Sequence, residues 1–260
     1  MNQTSHIVQC ISEEEIKADF NKPANMQIFS WKGNIDTLMK PIDSIKYYKM
    51  ILRNSMMAMD PKTGDVKAWV GGINFEHFKY DQVKMGTRQV GSTAKPFTYA
   101  VGIENGYSPW YQVNNVPYTV TGYGEPWTPK AYGSKPGYLT LREALAKSQN
   151  YITAWMMGQV GPTAVANLTK RMGITSDVPP YPSISLGSFE ASVYDMTGAY
   201  SAFVNHGTWT EPLYMLRIED KNGNLIYERK QKVVAAINPQ TAYVMTYMLK
   251  GVVEQGTGVR

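Results

Sequence analysis

The sequence predicts a mixed chain of β-hairpins and helices, and three observations point to it. Met56–Met59 and Val66–Val70 are apolar runs of strand length around Asp60-Pro61-Lys62-Thr63-Gly64, which has the composition of a turn. Leu213–Asp220 and Asn224–Arg229 flank Lys221-Asn222-Gly223, an Asn-Gly hairpin signal. Ser12-x-x-Glu15 and Thr140-x-x-Glu143 are capping boxes, each opening a helical segment. At 260 residues the chain is long enough to bury a full core, as one large domain or two small ones.

In order along the chain, Ser12 opens a short helix that ends before Pro23. Residues 1–40 read as a connector, with extended backbone near Gln27 to Trp31. Ile42 to Asn54 reads as helix, and the first hairpin follows. A helix runs from about Ser92 to Asn105. An irregular, aromatic stretch comes next, with Tyr107, Trp110, Tyr111, Tyr118, Tyr123, Trp127, Tyr132 and Tyr138 broken by Gly and Pro. These rings either line a groove for an extended ligand or pack a coil-rich flap against the helices, and loop aromatics favour packing. Gly161-Pro162-Thr163 opens a helix ending near Gly173, and Pro239 to Gly251 reads as the last helix.

Ser92-Thr93-Ala94-Lys95 carries the most chemistry. A serine hydroxyl is a weak nucleophile until a base sits within hydrogen-bond reach. Positions i and i+3 share a helix face, so Ser92 and Lys95 can meet without help from distant chain. Gly91 allows a sharp entry into the helix, and the helix N-terminus suits a developing oxyanion. Downstream lies Ser148-Gln149-Asn150, a Ser-x-Asn. Ser148 and Asn150 cannot share a face of an unbroken helix. If both side chains enter one cleft, the helix breaks between about Lys147 and Tyr151. Ser-x-x-Lys, a Ser-Asp-Asn-type motif and Lys-Thr-Gly are together the signature of serine β-lactamases and penicillin-binding proteins. Two of the three occur here in the right order.

The surrounding segments extend the match. Met57 to Gly72 resembles the hairpin that precedes the nucleophile in bifunctional (class A) penicillin-binding proteins. Thr140 to Asn150 resembles their second-motif segment, and Ala199 to Gly207 a later helix. The resemblance covers roughly residues 28 to 260. It implies an α+β transpeptidase fold of the penicillin-binding-protein/serine β-lactamase type. That fold has an antiparallel sheet with helices on both faces and a helical lobe, here over residues 41–260. There are departures. Ala131 stands where the family often has asparagine after Trp-x-Pro-Lys. Gly256-Thr257-Gly258 has no lysine, and Lys62-Thr63-Gly64 precedes the nucleophile and reads as a solvated turn. The third motif and the strands around it are therefore expected to be missing. Of the sheet one hairpin remains, too little to be stable alone, and strand edges and apolar helix faces are left exposed.

The resemblance implies a peptidoglycan D,D-transpeptidase, with D-Ala-D-Ala stem peptides as substrate and β-lactams as inhibitors. Ser92 is the implied nucleophile and Lys95 its base. Ser148 relays the proton, and Asn150 holds Lys95 and the substrate backbone. Neither a metal nor an organic cofactor is implied. Family members work on the extracytoplasmic, periplasmic face of the inner membrane and carry an anchor and a glycosyltransferase domain before this region. Neither is expected in this chain, so Met1 reads as a fragment start, and the fragment is expected to be weak or inactive. A serine β-lactamase and a non-catalytic β-lactam sensor are the alternatives.

Composition excludes other classes. The net charge of +5 is spread without runs, and no motif supports nucleic-acid binding. Cys10 is alone, so no internal disulfide forms. His6, His77 and His206 lack the spacing of metal ligands. No stretch is long and apolar enough to span a bilayer.

Overall fold

A computed structural model describes residues 12–131 and 134–259 and divides into two compact units. Cys10, His6 and Tyr132 lie outside the described residues.

The first unit comprises the chain up to Asn54 together with Asn74–Lys79. Helix α1 (Glu13–Phe20) starts at Ser12, where both bonds of the capping box form. Strands β1 (Ala24–Ile28) and β2 (Ile35–Met39) pair antiparallel, Ile28 opposite Ile35. Helix α2 (Pro41–Met50) begins on a proline, whose missing N–H costs nothing at that position. It stops at Met50, short of the expected Asn54, because Ile51 turns the backbone to an extended conformation. Phe29 is the centre of this unit. Its ring meets Trp31, His77 and Phe78, and its amide and carbonyl bond the hydroxyls of Tyr48 and Tyr47.

The second unit holds the candidate site. It opens with the expected hairpin, β3 (Met56–Met59) against β4 (Val66–Val70). Asp60 accepts from the amides of Lys62 and Thr63 and so builds the turn, with Lys62 exposed in it. The short strand β5 (Arg88–Gln89) leads into a 3-10 turn, Gly91–Ala94, and then α3 (Lys95–Glu104). Strands β6 (Gln112–Asn114) and β7 (Tyr138–Thr140) close the aromatic flap, and α4 (Leu141–Ala146) follows. Then come α5 (Asn150–Val160), α6 (Pro162–Arg171), a 3-10 turn at Pro182–Leu186, and β8 (Glu190–Ala191), which pairs with β5. Helix α7 (Val193–Val204) precedes β9 (Thr208–Thr210), the Asn-Gly hairpin β10 (Arg217–Glu219) and β11 (Leu225–Glu228), and β12 (Val233–Ala235), which returns to β9. Helix α8 (Pro239–Gln255) runs a turn beyond the expected Gly251. Among the described residues, every strand belongs to an antiparallel pair.

Helix α3 is the hub. Every residue from Lys95 to Gly102 is buried, and apart from Lys95, Thr98 and the Tyr99 hydroxyl the run is apolar. It packs against α5, α6 and α8. Phe97, Leu141, Ile152, Met156, Leu168, Met245 and Met248 are each less than 2% exposed, and each such side chain contributes about 1.5–3 kcal/mol of burial. Part of the aromatic flap packs, while Trp110 and Tyr138 are exposed. Tyr111 stacks on Trp155, Tyr107 sits edge-on to both, and Tyr118 and Tyr123 lie over Gly158 and Gly161. Met56 and Val70, paired at the open end of the β3–β4 hairpin, are exposed. Beside the hairpin, Met59, Pro61, Tyr200, Phe203, Leu249 and Val253 line an open apolar groove of about 550 Å³.

Candidate active site

Ser92 and Lys95 come from one short segment. The 3-10 turn places Ser92 one tight turn before the α-helix starts at Lys95, whose amide donates to the Ser92 carbonyl. In 3-10 geometry i and i+3 are eclipsed, so the two side chains leave on the same side. The turn is anchored from outside. Val90 and Gly91 donate to the carbonyls of Phe189 and Gly187, and the Tyr200 hydroxyl donates to Thr93 O at 2.7 Å. The approach is close enough that a Cβ on Gly187 would lie 2.1 Å from Gly91 O, and Gly187 also has φ +74°, so only glycine fits.

Ser148 and Asn150 come from the gap between two helices. α4 ends at Ala146 and α5 begins at Asn150, which is the break the Ser-x-Asn spacing requires. Ser148 has φ +54°, a left-handed conformation that is rare for a residue with a side chain. Such a residue costs about 1–3 kcal/mol and persists only where its surroundings hold it. Here the holder is Lys95. Its Nζ donates to Ser148 O at 2.5 Å, to Ser148 Oγ at 2.8 Å and to Asn150 Oδ1 at 2.7 Å. An ammonium has three protons, and all three are matched.

Lys95 is 1% exposed. Burial penalises its charged form and pulls the ammonium down to about 8. Ser148 and Asn150 are half-buried, and Ser92 is exposed. The Ser92 hydroxyl makes no hydrogen bond among the described residues, because the Lys95 protons are already directed at Ser148 and Asn150. Lys95, Ser148 and Asn150 are thus joined directly.

Three supports are assigned no role by the sequence, although two of them lie in segments that resemble the family. Asn150 Nδ2 donates to Lys130 O, so the Trp127-Thr128-Pro129-Lys130 stretch orients the asparagine. Asn115, 2% exposed, donates to Gln149 Oε1 and Ser134 Oγ. Gln149 therefore faces the flap while its neighbours face Lys95. Tyr200 reaches the Ser92 turn from 107 residues away.

A buried lysine bonded to a serine and an asparagine, with a further serine three residues before it, matches in residue type and spacing the first two motifs of serine β-lactamases and penicillin-binding proteins. Comparisons narrow the class. Residues 54–260 match the penicillin binding protein transpeptidase domain, and residues 8–52 match the penicillin-binding protein middle domain. The chain belongs to the penicillin-binding protein transpeptidase family. Penicillin-binding protein 1A of Rickettsia conorii is 37% identical over 202 residues, which is 76% of this chain and 26% of that protein. That of Rickettsia typhi is 32% identical over 255 residues, covering 87% of this chain and 32% of its own length. The chain thus spans about a quarter to a third of the curated relatives it matches. The crystal structure of penicillin-binding protein 1A from Haemophilus influenzae superposes with a TM-score of 0.69 at 21% identity, over 80% of this chain and 36% of that one. The expected transpeptidase fold is the one observed.

Proposed function

We propose that this chain is the transpeptidase part of a peptidoglycan-crosslinking enzyme and acts through a Ser92 acyl-enzyme. The observation that carries the proposal is the burial of Lys95 with its amine on Ser148 and Asn150. With a pKa near 8, about a tenth of Lys95 is neutral at pH 7, against roughly one part in three thousand for an ordinary lysine. A neutral amine has a lone pair and can take the Ser92 proton.

The steps follow from that. The Ser92 oxygen attacks the carbonyl carbon between the two D-alanines, and its proton goes to Lys95 Nζ. The peptide C–N bond breaks, and Ser148, bonded to the same Nζ, delivers a proton to the departing D-alanine amine. An amine from a second stem peptide then attacks the ester and returns Ser92 with its hydroxyl. Asn150, fixed by Lys130 O, keeps Lys95 in register. The Ser92 N–H is one oxyanion donor.

β-Lactams acylate Ser92 in the same way. A related protein, PonA1 from Mycobacterium tuberculosis, is known as a complex with penicillin V; it matches 94% of this chain and 66% of its own at 22% identity, with a TM-score of 0.67. We place the domain on the periplasmic face of the inner membrane, as its resemblance to class A penicillin-binding proteins implies. Among the described residues, no helix is long and apolar enough to cross a membrane. As these 260 residues stand, acylation is slow, since no Lys-Thr-Gly follows Ser148 to grip the substrate carboxylate.

The test is labelling with a fluorescent penicillin, followed by mass spectrometry, in the chain extended through a Lys-Thr-Gly strand. Ser92→Ala abolishes the adduct. An adduct on any other serine overturns the assignment.

A further inference from the structure

Ala146 is the last residue of α4, and the last carbonyls of a helix have no partner within it. Because the chain breaks at once into Lys147 and Ser148, that carbonyl cannot be satisfied by a continuing turn. It accepts instead from the amide of Thr257, at 3.1 Å, beyond the end of α8. The approach is close: a Cβ on Gly256 would lie 2.2 Å from Ala146 O and 2.7 Å from its carbonyl carbon. Gly256 has φ −116°, ψ −151°, which any residue adopts, so proximity alone demands the glycine. The same end of α8 is fastened to α4 a turn earlier. Arg142 Nη2 lies 2.9 Å from Glu254, and the guanidinium sits 4.6 Å from the centre of the Tyr247 ring. The Gly258 amide closes the turn on Val252 O.

We infer that Gly256 and Thr257 are positioning residues for Ser148: they hold the carbonyl of Ala146 and so set where the chain breaks and where Ser148 meets Lys95. Gly256-Thr257-Gly258 is thus no part of the substrate-gripping machinery; it acts through α4. The inference rests on Ser148 being the relay of the proposed mechanism. From Ala146 the chain has only Lys147 before the left-handed Ser148, whose amide returns to Leu145 O and whose carbonyl and hydroxyl take two of the three Lys95 protons. Displacing Ala146 displaces both acceptors and opens Lys95 to water. An added methyl at Gly256 requires a shift on the order of 1 Å, a displacement that in an active site costs about a hundredfold.

The test uses the chain labelled with carbon-13 at the lysine ε position, with the Lys95 signal assigned by its loss in Lys95→Arg. In Gly256→Ala the Lys95 titration midpoint moves up by about one unit or more, as burial is relieved. Thr257→Pro keeps the glycine, deletes the amide donor and moves the midpoint in the same direction. Gly251→Ala, whose Cβ would first meet the end of the flexible Arg142 side chain, at 3.3 Å, leaves it in place. In a chain extended through Lys-Thr-Gly, penicillin acylation falls about a hundredfold in Gly256→Ala, in the rate constant rather than in the half-saturating concentration. If the unsubstituted chain is not acylated at Ser92, the proposed function fails, and the Lys95 titration still decides the positioning role. Folded Gly256→Ala and Thr257→Pro variants with an unmoved Lys95 midpoint would overturn it. So would a Gly251→Ala shift as large as theirs.

Discussion

Lys95 ties stability to pH in a direction opposite to most lysines. An ordinary lysine gains a partner on folding, and its pKa rises. Lys95 is buried, and its pKa falls to about 8. Between pH 8 and the unfolded value near 10.4, the unfolded chain binds a proton that the folded chain does not, so stability rises with pH across that window. Below pH 8 both states are protonated and the full burial penalty is present. Going from pH 7 to pH 10, the gain from Lys95 alone is about 2–3 kcal/mol. Lys95→Met keeps the volume and removes the titration. The assay is urea unfolding of both chains at pH 7, 8, 9 and 10, taking the difference between them at each pH. Other lysines and tyrosines cancel in that difference. The unsubstituted chain gains on Lys95→Met as pH rises, with most of the change above pH 8. The same proton governs chemistry: acylation in an extended chain climbs about tenfold per pH unit below pH 7 and levels off above about pH 9. A stability difference that is flat in pH would refute the buried, depressed lysine, and with it the base.

Two further outcomes follow from the site. Ser148→Ala removes the hydroxyl that Lys95 holds at 2.8 Å; acylation at pH 8 falls by about a hundredfold or more, and stability falls by about 1–3 kcal/mol, because one proton of the buried Lys95 ammonium loses its acceptor. Adding a Lys-Thr-Gly strand to the 260-residue chain raises penicillin acylation by about a hundredfold to a thousandfold, the usual worth of one oxyanion donor; stopped-flow labelling at equal rates with and without it would show that the strand supplies nothing.

Much of this protein was legible in local sequence. The β3–β4 hairpin falls on the expected residues because apolar runs around Asp-Pro-Lys-Thr-Gly leave the backbone little choice. The capping boxes at Ser12 and Thr140 form because their bonds lie within one turn of chain. The break at Ser148 is the one expected if Ser148 and Asn150 enter one cleft, since residues two apart on an unbroken helix point to different faces.

What only the tertiary structure decided is the state of those residues. Nothing around position 95 says that this lysine is almost wholly buried; that needs α3 to be enclosed by α5, α6 and α8. Nothing near Thr93 points to Tyr200, nor near Asn150 to the carbonyl of Lys130. The end of α8 carries no sign in sequence that it caps α4, 111 residues earlier. The physical reason is the same throughout. Turns, caps and helix faces are set by neighbours within a few residues, whereas desolvation and the pairing of orphan carbonyls depend on segments that meet only when the core closes.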